Sequence, residues 1–126
     1  MAAAPSQRLL LNRSMRIKQT RDFARVRAQG RRLVHGCLIA NWQPLPPGAT
    51  TRLGVVTSGK IGNAVVRSRA RRLLRESFRL HQFELAQPLD LVLVARASIV
   101  GRGLAEVEKD FLTTARKAGL LKTNPE

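Results

Sequence analysis

Between Lys60 and Arg79 the chain reads KIGNAVVRSRARRLLRESFR, a glycine-bearing turn feeding an arginine-studded helix whose two faces make opposite demands on the fold. Gly62 can take a backbone conformation closed to other residues. Asn63 is a good N-cap, because its side-chain carbonyl accepts a hydrogen bond from an orphan N–H of the first turn, so a helix is predicted from about Ala64. On a 3.6-residue period Val66, Ala70, Leu73, Leu74, Ser77 and Phe78 share one side, a stripe that must be buried. Arg67, Arg71, Arg75 and Arg79 form an i, i+4 row on another face, with Arg69 and Arg72 further round and only Glu76 to offset them. Like charges at that spacing cost an isolated helix roughly 0.2–0.5 kcal/mol per pair, a penalty that a polyanion lying against the row turns into binding energy. A solvated charged face is the ordinary alternative, but such faces mix signs.

The whole chain shares this bias. Its 23 Lys plus Arg stand against 8 Asp plus Glu, a formal net charge of +15 that exceeds what solubility requires and points to a nucleic-acid partner. A membrane surface is the competing anionic partner. It is not expected, because the chain has no long uncharged apolar run and the basic helix has a narrow apolar face without a Trp/Phe-rich stripe. At 126 residues one domain with a single core is expected. Cys37 is the only cysteine, which rules out an intrachain disulfide and suits a reducing cytoplasm.

Residues 1 to 15 are small and basic and lack acids, and are expected to form a flexible tail ahead of one domain over residues 16 to 120, with a short C-terminal tail over 121 to 126. From Thr20 a short helix is predicted, with Thr20 as N-cap, apolar Phe23 and Val26 at i, i+3 and a stop at Gly30. Leu33 to Trp42 reads as a strand cut off by PLPPG, and Thr51 to Thr57 as the next strand, the two pairing antiparallel across that loop. The basic helix should end between Arg79 and Ala86, before Pro88. Asp90 to Arg96 has the near-continuous apolar run of a buried central strand beside the earlier one. Leu104, Val107, Phe111, Leu112 and Ala115 mark the core stripe of a last helix closed by Gly119. Helix, two strands, helix, strand and helix make an α+β layer structure, with helices packed on a small sheet.

Phosphodiester cleavage by a protein needs a general base and acid, or carboxylates gathered for metal ions. No such constellation is visible in the sequence, so no catalytic or metal-binding residue is assigned. His35 and His81 lack a surrounding motif and read as structural or surface histidines. Gly59, Lys60 and Gly62 suit contact with phosphate, but the full spacing of a nucleotide-binding loop is missing. Aromatic residues are few, which disfavours a module built mainly on stacked bases. Phe78 and Phe111 fall on core stripes; Phe23 fits either a core position or the border of a groove.

The string from Lys60 to Glu76 resembles the signature of the bacterial ribonuclease P protein component, K-x-G-N-A-V-x-R-N-R-x-K-R-x-x-R-E. The similarity extends over about residues 15 to 120, from RIKQTRDF and Gly30 through RLGVVTSGK to DLVLVAR and the last helix. It implies an α-β sandwich, with a mixed sheet of about four strands, three helices and a left-handed βαβ crossover against the usual right-handed rule. It also implies the small subunit of a ribozyme, whose RNA, with magnesium, removes the 5′ leader of precursor tRNA. The implied partners are the ribonuclease P catalytic RNA, in a 1:1 complex, and the precursor tRNA leader, in the cytoplasm. By position, Arg67, Ser68, Arg69, Arg71, Arg72 and Arg75 are the motif residues that meet RNA, Lys60 and Asn63 occupy the matching turn, and Phe23 matches the aromatic beside the leader cleft. Four positions depart from the pattern. Ser68 stands where the family usually has Asn, Arg71 where Lys is usual, Gly59 where a second Lys is common, and Arg27 where a second cleft aromatic is often found.

Overall fold

A computed structural model describes residues 13–122; the first twelve positions of the expected basic tail, and residues 123 to 126, lie outside them. Arg13–Met15 form a 3-10 turn, and the chain then runs extended past the open edge of the sheet, where the Ile17 N–H donates to the Leu53 carbonyl at 2.9 Å. Helix α1 spans Thr20–Gln29. Thr20 is its first helical residue and not its cap. The extended approach places the turn at Gln19, whose carbonyl accepts from the N–H groups of Asp22 and Phe23, and no side chain caps the helix.

Four strands follow a different pairing from the one the sequence suggests. The segment read as one strand from Leu33 to Trp42 is a hairpin, β1 (Arg31–His35) and β2 (Leu38–Pro44), joined through Gly36 and Cys37. Gly36 has φ +58° and a Cβ there would lie 2.2 Å from the Asp110 carboxylate, which itself accepts the Cys37 N–H at 3.0 Å; the turn needs a glycine on both counts. Strand β3 (Arg52–Val56) does not pair with β2 across the proline loop. Strand β4 (Leu89–Ala95) lies between them, antiparallel to β2 and parallel to β3, in the sheet order β1-β2-β4-β3. The reason lies in side-chain polarity: β4 is apolar on both faces and takes a central position, whereas the arginine-bearing β1 and β3 take the outer ones.

Helix α2 (Ala64–His81) connects the parallel pair β3 and β4, and α3 (Leu104–Lys117) closes the fold. With the period of two along each strand, Leu89, Leu91, Leu93 and Ala95 of β4 meet Ala70, Leu73, Leu74 and Phe78 of α2 and Val107, Phe111 and Ala115 of α3 in the main core. Val92, buried from the other face, packs with Ile17 and Val26, with Phe23, Val56 and Val94 around them. The architecture is thus an α+β sandwich of a four-stranded mixed sheet with helices on both faces. Every residue of the predicted α2 stripe is buried except Val66, which is half-buried, and the one hydroxyl in it, Ser77, donates to the Leu73 carbonyl at 2.9 Å. Helix α3 ends as predicted around Gly119, one position beyond the cap Ala118, with Gly119 N–H bonded to Arg116 and Leu120 N–H to Ala115. The domain reaches slightly past residue 120, since Leu121 bridges to Leu85 and the Lys122 N–H donates to Glu84.

Candidate nucleic-acid interface

Packing the apolar stripe of α2 against the sheet fixes the direction of its arginine row. Asn63 caps the helix as predicted, its Oδ1 accepting the Val66 N–H at 3.0 Å. Gly62 lets the turn pass so close that a Cβ would sit 3.0 Å from the Val66 side chain. Lys60 and Asn63 stand exposed at this turn. Arg67 folds back to donate to the Gly62 carbonyl at 2.8 Å, and Arg71 donates to Thr57 Oγ1 at 2.9 Å and Ser68 Oγ at 3.3 Å. These bonds hold half-buried guanidinium groups in place while occupying only part of each five-donor fork.

Arg75, one turn on, faces the open edge of the sheet. It shares a cavity of about 100 Å³ with Arg16, Phe23, Leu53, Gly54 and Val55. Phe23 is half-buried there, and the missing side chain of Gly54 makes room for it: a Cβ at Gly54 would lie 2.4 Å from the Phe23 ring. Burial pushes the Arg75 pKa down, and the charges of Arg16 and Arg71 push it the same way. An anion entering this cleft relieves that repulsion. Phe23 packs on the small core of the α1 face and also borders this groove.

The predicted site residues do not form one patch. Arg67, Arg71, Arg75 and Phe23 line one flank, with Ser68 exposed beside Arg71. Arg72 is exposed, and Arg69 turns to the opposite flank, where its Nη1 donates to the Arg102 carbonyl at 2.8 Å. Arg79, the last of the row, is held by Glu76 through two 2.8 Å bonds. Arg27 is exposed on α1 and Gly59 on the turn, so neither departure from the family pattern disturbs packing.

The family model described as Ribonuclease P matches residues 11–119. The chain belongs to this family. Among relatives of the ribonuclease P protein family, the "Ribonuclease P protein component" of Syntrophomonas wolfei is 36% identical over 115 residues, covering 91% of this chain and 96% of that protein. The protein of the same name from Gluconacetobacter diazotrophicus is 36% identical over 114 residues, covering 88% and 97%. The fold is likewise that of the solved ribonuclease P proteins. The Staphylococcus aureus structure superposes with a TM-score of 0.78 at 24% identity over 87% of this chain and 100% of its own, and the Thermotoga maritima structure with 0.71 at 24% over 80% and 96%.

Two parts of the cleft escape a reading of the sequence. Arg16 opens the expected domain with no role assigned to it, and only its bridge to Leu53 brings it into the cleft with Arg75. Gly54 carries no local signal beyond an isolated glycine in a strand, which marks a close approach without naming the partner. Behind the cleft, Asp90 is fully buried and receives Arg52 through Nε at 2.9 Å and Nη2 at 2.8 Å, and Arg25 at 2.8 Å, while Arg25 also bonds Gln43. Burial opposes ionisation of Asp90, but the hydrogen bonds from Arg52 and Arg25 outweigh it and hold its carboxyl below the usual range.

Proposed function

We propose that this protein is the RNA-binding subunit of ribonuclease P, and that it assists RNA-catalysed removal of the 5′ leader from precursor tRNA in the cytoplasm. The observation that carries this reading is the flank formed by Arg67, Arg71 and Arg75 and continued by the Phe23 cleft. The arginine row docks on the phosphate backbone of the catalytic RNA, in a 1:1 complex. Lys60, Asn63, Ser68, Arg69 and Arg72 extend the contact around the turn and helix. The cleft between Arg16, Phe23 and Arg75 takes the single-stranded leader, with guanidinium groups for its phosphates and one aromatic edge for its bases, an arrangement that binds without strong base selection.

Magnesium in this reading is bound by RNA. Among the described residues no group of three His, Cys, Asp or Glu side chains is placed to hold a metal ion. The protein's part is to neutralise phosphates and to position the leader.

The test is 5′ processing of a precursor tRNA at low magnesium and near-physiological salt by a bacterial ribonuclease P RNA, with and without this protein, alongside a protein-only control. Stimulation of the RNA with no cleavage by protein alone is the expected outcome. Binding without stimulation would instead indicate a general structural RNA-binding protein, and cleavage by protein alone a self-sufficient nuclease.

A further inference from the structure

The flank of α2 opposite the Phe23 cleft carries a second, differently built depression. It is a cleft of about 120 Å³ between the start of α2 and the 3-10 turn Ala97–Ile99, lined by Val65, Val66, Leu73, Ile99 and Val100 and crossed by Arg69. Its lining is overwhelmingly apolar, yet it is open: Val65 is 77% and Val100 50% exposed, the most exposed large apolar side chains described. Single exposed apolar residues need no explanation, but two that form the lips of an apolar depression do. The core is already closed beneath them, with Ile99 only 1% exposed, so the lips contribute little to folding.

The surroundings restrict what could cover it. Arg69 spans the cleft from helix to turn, its guanidinium pinned by the 2.8 Å bond to the Arg102 carbonyl. Glu106 of α3 accepts the Gly103 N–H and pairs with Arg102. A second copy of a +15 chain would bring like charge to a cationic rim. A partner with apolar flat faces and negative charge in one molecule fits both features, and an RNA nucleotide has both. We infer that this cleft receives an unpaired nucleobase of the RNA bound along α2. The base lies between the Val65 and Val100 lips, above Ile99 and beneath the fixed plane of Arg69, and its phosphate faces the Arg69 guanidinium. Bases inside an A-form duplex cannot reach such a cleft, so the nucleotide comes from a loop, bulge or end. The inference rests on the reading of the arginine row as an RNA-docking surface.

The test uses the full protein and a bacterial ribonuclease P RNA, with affinity measured across a salt series and base-specific chemical modification of the RNA in the complex. The variant Val65→Ser/Val100→Ser is expected to bind about five- to tenfold more weakly, in line with loss of apolar contact to one base. Its salt slope should be unchanged, since no phosphate contact is lost. At least one nucleotide protected by the wild type should become reactive. Val100→Phe, which enlarges the platform, should keep that protection; this controls for a double variant that folds poorly. Wild-type affinity and an identical protection pattern in the serine variant would overturn the inference while leaving the RNA-docking reading standing. Loss of self-association of the free protein, with RNA binding unaffected, would overturn it in favour of a second copy. Failure of the wild type itself to bind with a steep salt dependence would remove the docking reading and this inference with it.

Discussion

Asp90 shows how much of this interface depends on one buried charge. Its carboxylate has no exposed surface, and three bonds from Arg25 and Arg52 tie α1 and β3 to β4 behind the Phe23 cleft. A buried pair of this kind is weak evidence for net stability, because desolvation offsets most of the attraction, but removing one partner leaves uncompensated charge. Asp90→Ala is therefore expected to lower unfolding free energy by about 1–3 kcal/mol in urea titration, less than for a fully buried pair, because Arg25 and Arg52 are about one-third exposed and keep Asp22 as a partner. A loss below about 1 kcal/mol would show the arginines to be solvated without it. Gly54 tests the cleft without touching a charge. Gly54→Ala puts a methyl 2.4 Å from the Phe23 ring, which must turn aside because the sheet backbone cannot. The expected result is leader-dependent affinity for precursor tRNA reduced several-fold with affinity for mature tRNA retained; equal loss for both would place Phe23 in the core alone.

Elements are joined by similar local devices, and one of them titrates. His81 ends α2 with Nε2 2.6 Å from Glu108 of α3 and Nδ1 against Glu84. Burial lowers the His81 pKa, but the bonds to Glu84 and Glu108 outweigh it, so the imidazolium is favoured in the fold and the pKa stands above its ordinary 6.5. A raised folded pKa means that the stabilisation is complete below the unfolded value and is lost as pH rises through the folded one. The difference in Tm between wild type and His81→Gln should therefore be largest below pH 6.5 and shrink as pH rises above it. A difference independent of pH would assign the effect to packing. No motif in the sequence marks this clamp, because Glu108 is 27 residues away in the chain. The same distinction separates what the sequence discloses from what it hides. The cap at Asn63, the α2 stripe and the α3 stripe are local periodic signals, and each is found where its spacing predicts. The β1–β2 hairpin is hidden by an apolar run continuing on both sides of Gly36, and the placement of β4 between β2 and β3 depends on comparing strands far apart in sequence. Of the site, the arginine row was legible from its i, i+4 spacing. Arg16 and Gly54 were not, because the cleft exists only once the N-terminal segment lies along β3.

Among the described residues the acids are all engaged within the fold, which leaves the flank of Arg67, Arg71 and Arg75 without an acidic partner. Asp22 and Asp90 pair with Arg25 and Arg52, Glu76 with Arg79, Glu84 and Glu108 with His81, and Glu106 with Arg102, while Asp110 accepts the Cys37 N–H. Those are all the acidic side chains among the described residues, and none of these pairs includes Arg67, Arg71 or Arg75. Arg79 belongs to the row by spacing, but its charge is already met by Glu76, so three of the four arginines are predicted to make the phosphate contacts. Each phosphate neutralised releases counterion and contributes about −0.7 to −0.9 to the slope of log affinity against log salt. Changing Arg67, Arg71 and Arg75 together to Ala should therefore flatten the slope for ribonuclease P RNA by about 2 to 3. Arg79→Ala should leave the slope nearly unchanged. Unfolding of the triple variant should remain cooperative, because the three side chains lie off the buried stripe; the bonds of Arg67 to Gly62 and of Arg71 to Thr57 and Ser68 are worth about 1–3 kcal/mol each. Loss of cooperative unfolding would make the row a structural element, and a slope that Arg79→Ala flattens as much as any other single change would show that the ion pair with Glu76 opens on RNA.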